Sequence, residues 1–294
     1  MVRAQNLNKR FVHYTSAEAA INIIKSKRIW MRKTSCMNDF MEVKHGLDRL
    51  EKAYNSAEAD PFKNTLDAVF PGIVRRVERL FDLFKKHLGT GTYVTSFSEH
   101  EDTEDFYGRL SMWRAYGNPT GVALVLKHDL FTTPLDALLS VFASPALYKT
   151  GDEFKPVFSE LSKSVAKHQA SLNGFSEDAI TSHALKTLLA LAACTKHPGF
   201  KEEREWRIIY APNIFACVDL EHEIKTFRGV PQSIYKIPLD KSGSTAFANL
   251  GILEILDHII IGPTSYPEAI KEAFESTLIE AGIPVVVSEI PLRY

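Results

Sequence analysis

The sequence is poor in cysteine, in long apolar runs and in net charge. Its 294 residues include three cysteines and no CxxC pair, which argues against a disulfide framework and for a reducing compartment. No apolar run approaches the roughly 18–20 residues of a membrane span. The polar, basic N-terminus also lacks the apolar segment of a secretory signal. With a net charge of −1, bulk affinity for membranes or nucleic acid is not expected. These absences predict a cytoplasmic protein with no membrane partner.

Several common catalytic motifs are also missing. The sequence has no HExxH motif, no paired-cysteine site and no aspartate-rich calcium loop, so it predicts no metal. Neither glycine-rich phosphate-binding motif occurs, and Gly89-Thr90-Gly91 is predicted to be a turn. Ser96 and Ser98 lack the glycine-flanked elbow of α/β-hydrolases. Five histidines are predicted to lie at the surface: His45, His87, His100, His128 and His168.

What the chain does contain is a series of short strand patterns separated by helical ones. No linker or repeat divides it, so we expect a single domain over residues 1–294 with an α+β fold. Helical insertions are expected at about 41–88 and 154–194. The predicted strands are Phe11–Thr15, Arg28–Arg32, Thr92–Ser98, Gly121–Leu126, Glu205–Tyr210, Tyr235–Pro238, His258–Ile261 and Pro284–Ile290. The predicted helices include Ala17–Lys25, Met41–Tyr54, Ile73–Leu88, Phe106–Tyr116 and Pro267–Ala281.

Polar side chains recur at the ends of these strands, where core strands are usually apolar. In the stretch FKEEREWRII, alternation along a strand would place Glu203, Glu205 and Arg207 on one face. Taken singly, each polar residue has an ordinary structural explanation, such as a core histidine or charges on an edge strand. Taken together, they predict a cleft across a sheet. The set is His13-Tyr14-Thr15-Ser16, Asn38-Asp39 with Glu42, Thr95-Ser96-Phe97-Ser98, Trp113, Tyr116, Glu203 and Glu205.

The chemistry that such a cleft supports can be stated. An ionised carboxylate beside a sugar stabilises positive charge that develops at the anomeric carbon. A second carboxylate nearby can orient or deprotonate the attacking group. A histidine and hydroxyl groups can hold a ribose and an amide, and an aromatic ring such as Tyr107, Trp113 or Tyr116 can stack on a flat base.

The order of these motifs resembles a large, mostly uncharacterised prokaryotic family of unknown function, over about residues 11–210. The motifs are His-Tyr-Thr-Ser, Met37-Asn38-Asp39 with Glu42, Ser96-Phe97-Ser98, Met112-Trp113-x-x-Tyr116 and Glu203-x-Glu205-Trp206-Arg207. That family in turn resembles a distant branch of the ADP-ribosyltransferase superfamily, whose split β-sheet binds NAD.

The second resemblance implies a role for each motif. His13 would contact the ribose and carboxamide of NAD, and Ser96 or Ser98 would support the ribose. Glu205 would be the catalytic glutamate, and Glu203 would orient the acceptor. The expected NAD-binding set is completed by Tyr14, Thr15, Trp113 and Tyr116.

The expected function is therefore NAD-dependent mono-ADP-ribosylation of a protein, RNA or DNA acceptor. An intracellular toxin or phage-defence effector with an antitoxin partner fits this activity. The acceptor stays open, because one branch of the superfamily would have arginine in place of His13 and another would favour a tyrosine that Tyr93 matches only approximately. Two alternatives also stay open: a non-catalytic nucleotide-sensing or interaction domain, and a hydrolase of NAD or nucleic acid.

Overall fold

The computed structural model describes residues 9–36, 40–127, 140–150, 152–217, 220–227, 229–240 and 251–292. Most of the strands in these residues join one mixed sheet of ten strands, and a two-stranded parallel pair, β6 and β7, stands apart. The strands are β1 (Arg10–Ser16), β2 (Arg28–Lys33), β3 (Tyr93–His100), β4 (Gly121–Leu126), β5 (Val141–Pro145), β6 (Leu147–Tyr148), β7 (Thr195–Lys196), β8 (Glu205–Tyr210), β9 (Glu221–Phe227), β10 (Val230–Pro238), β11 (Leu256–Ile261) and β12 (Val285–Val287).

The large sheet forks along β3. Its order is β12-β11-β4-β1-β3-β2-β10-β9, and β8 joins β3 to β5. The C-terminal part of β3 pairs with β1 as far as Val12 and Ser98, whereas its N-terminal part pairs with β2 at Arg32 and Val94. Because β8 pairs with β3 from Tyr93 to Ser98, β1 and β2 share the other edge of β3 and separate there. We call the opening between His13–Ser16 and Thr95–Phe97 the fork.

Helices cover both faces of the sheet. They are α1 (Ala17–Ser26), α2 (Phe40–Tyr54), α3 (Asp60–Val69), α4 (Ile73–Gly91), α5 (Leu110–Met112), α6 (Lys155–Lys167), α7 (Gln169–Leu172), α8 (Glu177–Cys194), α9 (Ile252–Ile255) and α10 (Pro267–Leu278). Ser16 caps α1 by accepting a hydrogen bond from the amide of Ala19 (3.2 Å). None of the helices in the described ranges has the length and apolar character needed to cross a bilayer.

The buried apolar residues of the described ranges form three cores between the helices and the sheet. The first lies beside α1 and α10 and includes Phe11, Ile24 and Phe97. The second joins α2, α3, α4, α6 and α8 to the sheet at Val94 and Ile209. The third is small and buries Val12, Tyr14, Met112, Trp113, Ala123, Val125 and Ile260 under the segment that follows β3. The expected mixture of helices and strands is thus confirmed, and α2–α4, α6 and α8 lie largely within the two segments where helical insertions are expected.

Two predictions about local structure are wrong. Gly89-Thr90-Gly91 is the last turn of α4 and not a separate turn, because the packing of α4 against α8 outweighs the low helix propensity of glycine. The helix predicted over Phe106–Tyr116 begins only at Leu110 and continues as a π-helical turn over Trp113–Gly117. Gly108, at φ +66°, interrupts the segment before that helix.

Candidate active site

The stretch around Glu203 and Glu205 does not form one continuous strand. Pro198–Glu203 is a 3₁₀ helix, capped by His197, whose Nδ1 accepts from the Gly199 amide (3.1 Å). Arg204 then adopts a left-handed conformation (φ 45°), and β8 begins at Glu205. The prediction that Glu203 shares a strand face with Glu205 is therefore wrong, because Glu203 belongs to the 3₁₀ helix and the strand begins only after Arg204. Glu205 and Arg207 do lie on the same face.

Glu205 is the centre of a buried ion-pair cluster. Its Oε1 accepts from Nε of Arg207 (2.8 Å), and its Oε2 accepts from Nη2 of Arg207 (3.0 Å) and from Nζ of Lys196 (3.2 Å). The residue is 7% exposed. Burial alone would raise the pKa of Glu205, but the two cations, together with Ser96, lower it to about 2. The carboxylate is therefore ionised at every physiological pH.

Lys196 joins the two glutamates. Its Nζ donates to Oε2 of Glu203 (2.6 Å) as well as to Glu205, so both carboxylates meet at one ammonium group. Burial acts to lower the pKa of Lys196, but the two carboxylates raise it above its ordinary value, and the group stays charged. Glu203 therefore lies next to Glu205 in space, although the two residues do not share a strand.

Ser96 and Ser98 lie on the same sheet face as Glu205. In the register of β3 and β8, Ser98 is opposite Glu205 and Ser96 is opposite Arg207, and directly paired residues project to the same side. The Ser98 hydroxyl donates a short hydrogen bond to the main-chain carbonyl of Glu203. The sequence-based placement of Ser96 and Ser98 beside Glu205 is thus what the structure has.

Arg109 stabilises this arrangement through hydrogen bonds from its guanidinium group. It is 6% exposed, and its guanidinium donates to Ser98 Oγ (2.7 Å), the Glu203 carbonyl (3.2 Å) and the Glu99 carbonyl (2.8 Å). Both oxygens of Glu104 accept from the same guanidinium, at 2.9 and 3.0 Å. This arginine fixes the end of β3 relative to the turn that carries Glu203.

The aromatic residues predicted to contact a ligand divide into two groups. Trp113 is fully buried, packs edge-on against Tyr14 (4.9 Å between ring centroids) and donates from Nε1 to the Tyr107 carbonyl (2.7 Å). Tyr14 is also buried, and its hydroxyl accepts from the Arg109 amide (2.8 Å). Both rings therefore belong to the core below the cluster. Tyr116, by contrast, is half-buried and lies close enough to Lys196 to contribute to the raised pKa of that lysine.

His13 and Thr15 lie on the opposite face of the sheet. His13 packs against Phe97 (5.3 Å between ring centroids), and its Nδ1 donates to the Ser96 carbonyl (2.9 Å), bridging the fork. Thr15 pairs with Val122, a residue of the core on the α1 side. Two strand spacings, about 10 Å, separate β1 from β8. The structure therefore does not bring His13 together with Glu205 in one cluster.

The second predicted motif lies mostly outside the part of the chain that the structure describes. Met37-Asn38-Asp39 lies outside the described residues, and so does the side chain of Glu42.

Four side chains of the cluster were missed by the sequence-based reasoning: Arg109, Tyr148, Lys196 and Arg207. Tyr148 accepts a hydrogen bond from the Glu205 amide (2.7 Å). A signal existed for Arg207, which alternation places on the face of Glu205. Arg109, Tyr148 and Lys196 lie outside the Glu203–Glu205 stretch, in other elements. No local sequence pattern identifies them as residues of a site.

One exposed aromatic ring lies next to the cluster. Phe200 is 42% exposed, and Nζ of Lys196 lies 4.8 Å from the centre of its ring. The 3₁₀ helix that carries Phe200 packs against α5, where Leu110 is also exposed. A flat apolar ring could therefore stack here, directly outside the two carboxylates.

Comparison with known protein families gives one match, and it overlaps part of this cluster. The family described as "Protein of unknown function (DUF2971)" matches residues 112–208, about a third of the chain, which includes Tyr116, Lys196, Glu203 and Glu205. No curated protein matches the chain. No solved structure matches it either.

Proposed function

We propose that this protein is an NAD-dependent mono-ADP-ribosyltransferase that modifies a protein or nucleic-acid acceptor. The observation that carries the proposal is the meeting of Glu203 and Glu205 at the ammonium group of Lys196, on the face of Ser96 and Ser98. The forked sheet also supports it, because a split sheet is what the resemblance to ADP-ribosyltransferases implies. An intracellular toxin or phage-defence effector, restrained by an antitoxin, remains our preferred biological role.

The chemistry assigns different tasks to the two glutamates. When the glycosidic bond of NAD breaks, nicotinamide leaves with the bonding electrons and the ribose carbon becomes cationic. An ionised carboxylate stabilises that charge, and Glu205 is ionised because of its low pKa. The acceptor then forms the new bond to the ribose carbon. Glu203, which is nearer the surface, orients the acceptor and takes its proton.

For this reaction to occur, Lys196 and Arg207 must release oxygens of the Glu205 carboxylate. Both Glu205 oxygens are bonded to these cations in the described state. The pyrophosphate of NAD offers Lys196 an alternative anionic partner, and Phe200 offers a ring for the nicotinamide or adenine. Ligand binding would thus draw Lys196 away from Glu205. His13, on the other face, is proposed to act on the fork and not on the ribose directly.

A direct test is incubation of the full chain with adenylate-labelled NAD and cell lysate. We expect nicotinamide release together with transfer of label to a macromolecule, whose nature protease and nuclease digestion would identify. Glu205→Gln should abolish both signals. Glu202→Gln, which changes an exposed carboxylate in the same segment, should leave them unchanged. Circular dichroism would establish that each variant is folded. Undiminished transfer by folded Glu205→Gln would refute the assignment.

A non-catalytic nucleotide-sensing domain is the second candidate, favoured by the complete pairing of Glu205 with cations. In that case NAD would bind, as measured by calorimetry, without release of nicotinamide. The third candidate, an NAD glycohydrolase, would release nicotinamide without labelling any acceptor. The same incubation therefore separates the three functions.

A further inference from the structure

A second cluster of ligand-type side chains lies at the C-terminal end of β3, two residues beyond Ser98. It brings together His100 at the end of that strand, Asp105 in the turn that follows, and His258 on β11. The prediction that His100 is a surface residue is wrong, since it is 4% exposed. β3 and β11 are not neighbours, because β1 and β4 lie between them. The cluster therefore links two distant parts of the sheet.

The donor atoms of these residues are spaced like the ligands of a metal ion. Nε2 of His100 lies 2.9 Å from Oδ1 of Asp105, and Nε2 of His258 lies 3.8 Å from the same oxygen. Each of the three residues offers one ligand atom that lies within 4.8 Å of the other two. A tetrahedral site with metal–ligand distances of about 2.0–2.1 Å has ligand–ligand distances of about 3.4 Å. The two measured spacings lie on either side of that value.

The orientation of His258 is an independent sign of a ligand. This residue is 8% exposed, and its Nε2 is buried without a hydrogen-bond partner. Its other ring nitrogen, Nδ1, lies 3.0 Å from Oδ2 of Asp257. When Nδ1–H donates to that carboxylate, the lone pair of Nε2 is directed toward Asp105. A carboxylate behind a histidine in this way is the usual support of a metal-binding imidazole.

The charges around the cluster are compatible with a cation. Arg10 donates to Asp102, Asp105 and Asp257, so one guanidinium serves three carboxylates. Asp102 is exposed, whereas Asp105 and Asp257 are partly buried. If Oδ1 of Asp105 turns to a metal, Arg10 keeps its two other partners. A divalent ion would offset the excess of negative charge without breaking up the network.

We propose that His100, Asp105 and His258 bind one divalent transition-metal ion of the zinc type, with water completing the coordination. Two imidazoles and one carboxylate are donors that suit zinc and its neighbours, whereas calcium and magnesium prefer oxygen ligands alone. The ion ties the end of β3 and the turn after it to β11. This site is separate from the Glu203–Glu205 cluster, and it does not depend on the proposed NAD chemistry.

The test uses the full chain after treatment with a chelator and removal of the chelator. Zinc titration by calorimetry and elemental analysis of the dialysed protein should both give one equivalent. His258→Gln should weaken binding at least tenfold, and Asp257→Asn should weaken it about 10–100-fold because it removes support from the imidazole. His45→Gln, which changes an exposed histidine on α2, should bind zinc as the unchanged chain does.

Cobalt(II) provides a second measurement that needs no variant. Bound to two imidazoles and a carboxylate, it should show visible ligand-field bands without an intense thiolate charge-transfer band. A strong thiolate band would place the metal at one of the cysteines and overturn the proposal. Absence of metal binding by the unchanged chain would also overturn it, and so would equal zinc affinity in folded His258→Gln.

Discussion

Glu205 and Arg207, two residues apart on β8, form a bidentate ion pair in which Nε and Nη2 of the arginine bond to the two carboxylate oxygens at 2.8 and 3.0 Å. Both side chains are at least nine-tenths buried. Nη1 of Arg207 also donates to the carbonyl of Ala193 at the end of α8 (2.6 Å). The pair thus connects the sheet to the helical layer.

Removal of the arginine should be strongly destabilising. In Arg207→Met, the buried Glu205 carboxylate loses its main partner, and we expect the free energy of unfolding to fall by about 3–5 kcal/mol. Urea unfolding at pH 7 would measure the change. Arg76→Met provides the control, because Arg76 pairs with Glu177 and Asp178 at the surface and its loss should change stability little. A similar small effect in both variants would contradict the prediction.

The low pKa of Glu205 predicts a loss of stability in acid. The pKa is about 2 in the folded protein and near 4.5 in an unfolded chain, so the unfolded state binds more protons between these values. The stabilisation from ionised Glu205 is therefore fully present above about pH 4.5 and is lost as the pH falls toward 2. It amounts to about 3 kcal/mol. Unfolding of the wild type and of Glu205→Gln at pH 7, 4.5 and 3 should show the two curves converging as the pH falls.

His13 should stabilise the fork through one hydrogen bond. His13→Leu removes the donor to the partly buried Ser96 carbonyl, and leaving this acceptor unpaired should cost up to about 1–3 kcal/mol. His13→Asn places an amide N–H near the position of Nδ1 and should cost less. Urea unfolding at pH 7 would compare them. Equal losses in the two variants would show that the hydrogen bond does not matter.

The same histidine should make stability depend on pH near neutrality. Burial lowers the pKa of His13, although its hydrogen bond to Ser96 acts in the opposite direction. Below about pH 6.5 the unfolded chain therefore takes up a proton that the folded chain resists, and stability falls as the pH falls. Neither His13→Leu nor His13→Asn can titrate here, so the stability difference between wild type and variant should shrink between pH 7.5 and 5.5.

Gly108 should be intolerant of any side chain. Its φ is +66°, and an added Cβ would lie 2.6 Å from Cζ2 of buried Trp113. Gly229 offers a matched control, with φ +81° and no atom within 4 Å of the added Cβ. Gly229→Ala should cost about 1–2 kcal/mol from backbone strain alone. Gly108→Ala should cost clearly more, as measured by thermal unfolding, unless Trp113 can move.

Alternation and apolar runs were sufficient to predict the central strands. Gly121–Leu126 and Glu205–Tyr210 have the bounds that the sequence predicts, because each is bounded by a clear change in polarity. The face shared by Ser96, Ser98 and Glu205 follows from the same pattern once β3 and β8 pair. The turn at Arg204 could not be predicted, since arginine rarely adopts a left-handed conformation and only the surrounding contacts impose it.

Local sequence patterns do not predict the residues that complete the two clusters. Lys196 resembles any surface lysine in sequence, and its burial depends on the carboxylates of Glu203 and Glu205, which lie on either side of the turn at Arg204. His100 and His258 come from strands that are not adjacent in the sheet, and their proximity depends on Arg10 and the aspartates around it. The spacing of these residues along the chain does not indicate such contacts.

The forked sheet has a consequence for how the chain folds. Contacts within it join positions that are very distant in sequence: Glu99 and Trp206, which share a hydrogen bond, are 107 positions apart, and Arg10 and Asp257 are 247 apart. Such high contact order slows folding, because large loops must close before these pairings stabilise the chain. During synthesis, β3 lacks β8 at its edge until more than a hundred further residues have emerged. A nascent chain of this length therefore presents an open strand edge to chaperones, or to other nascent chains.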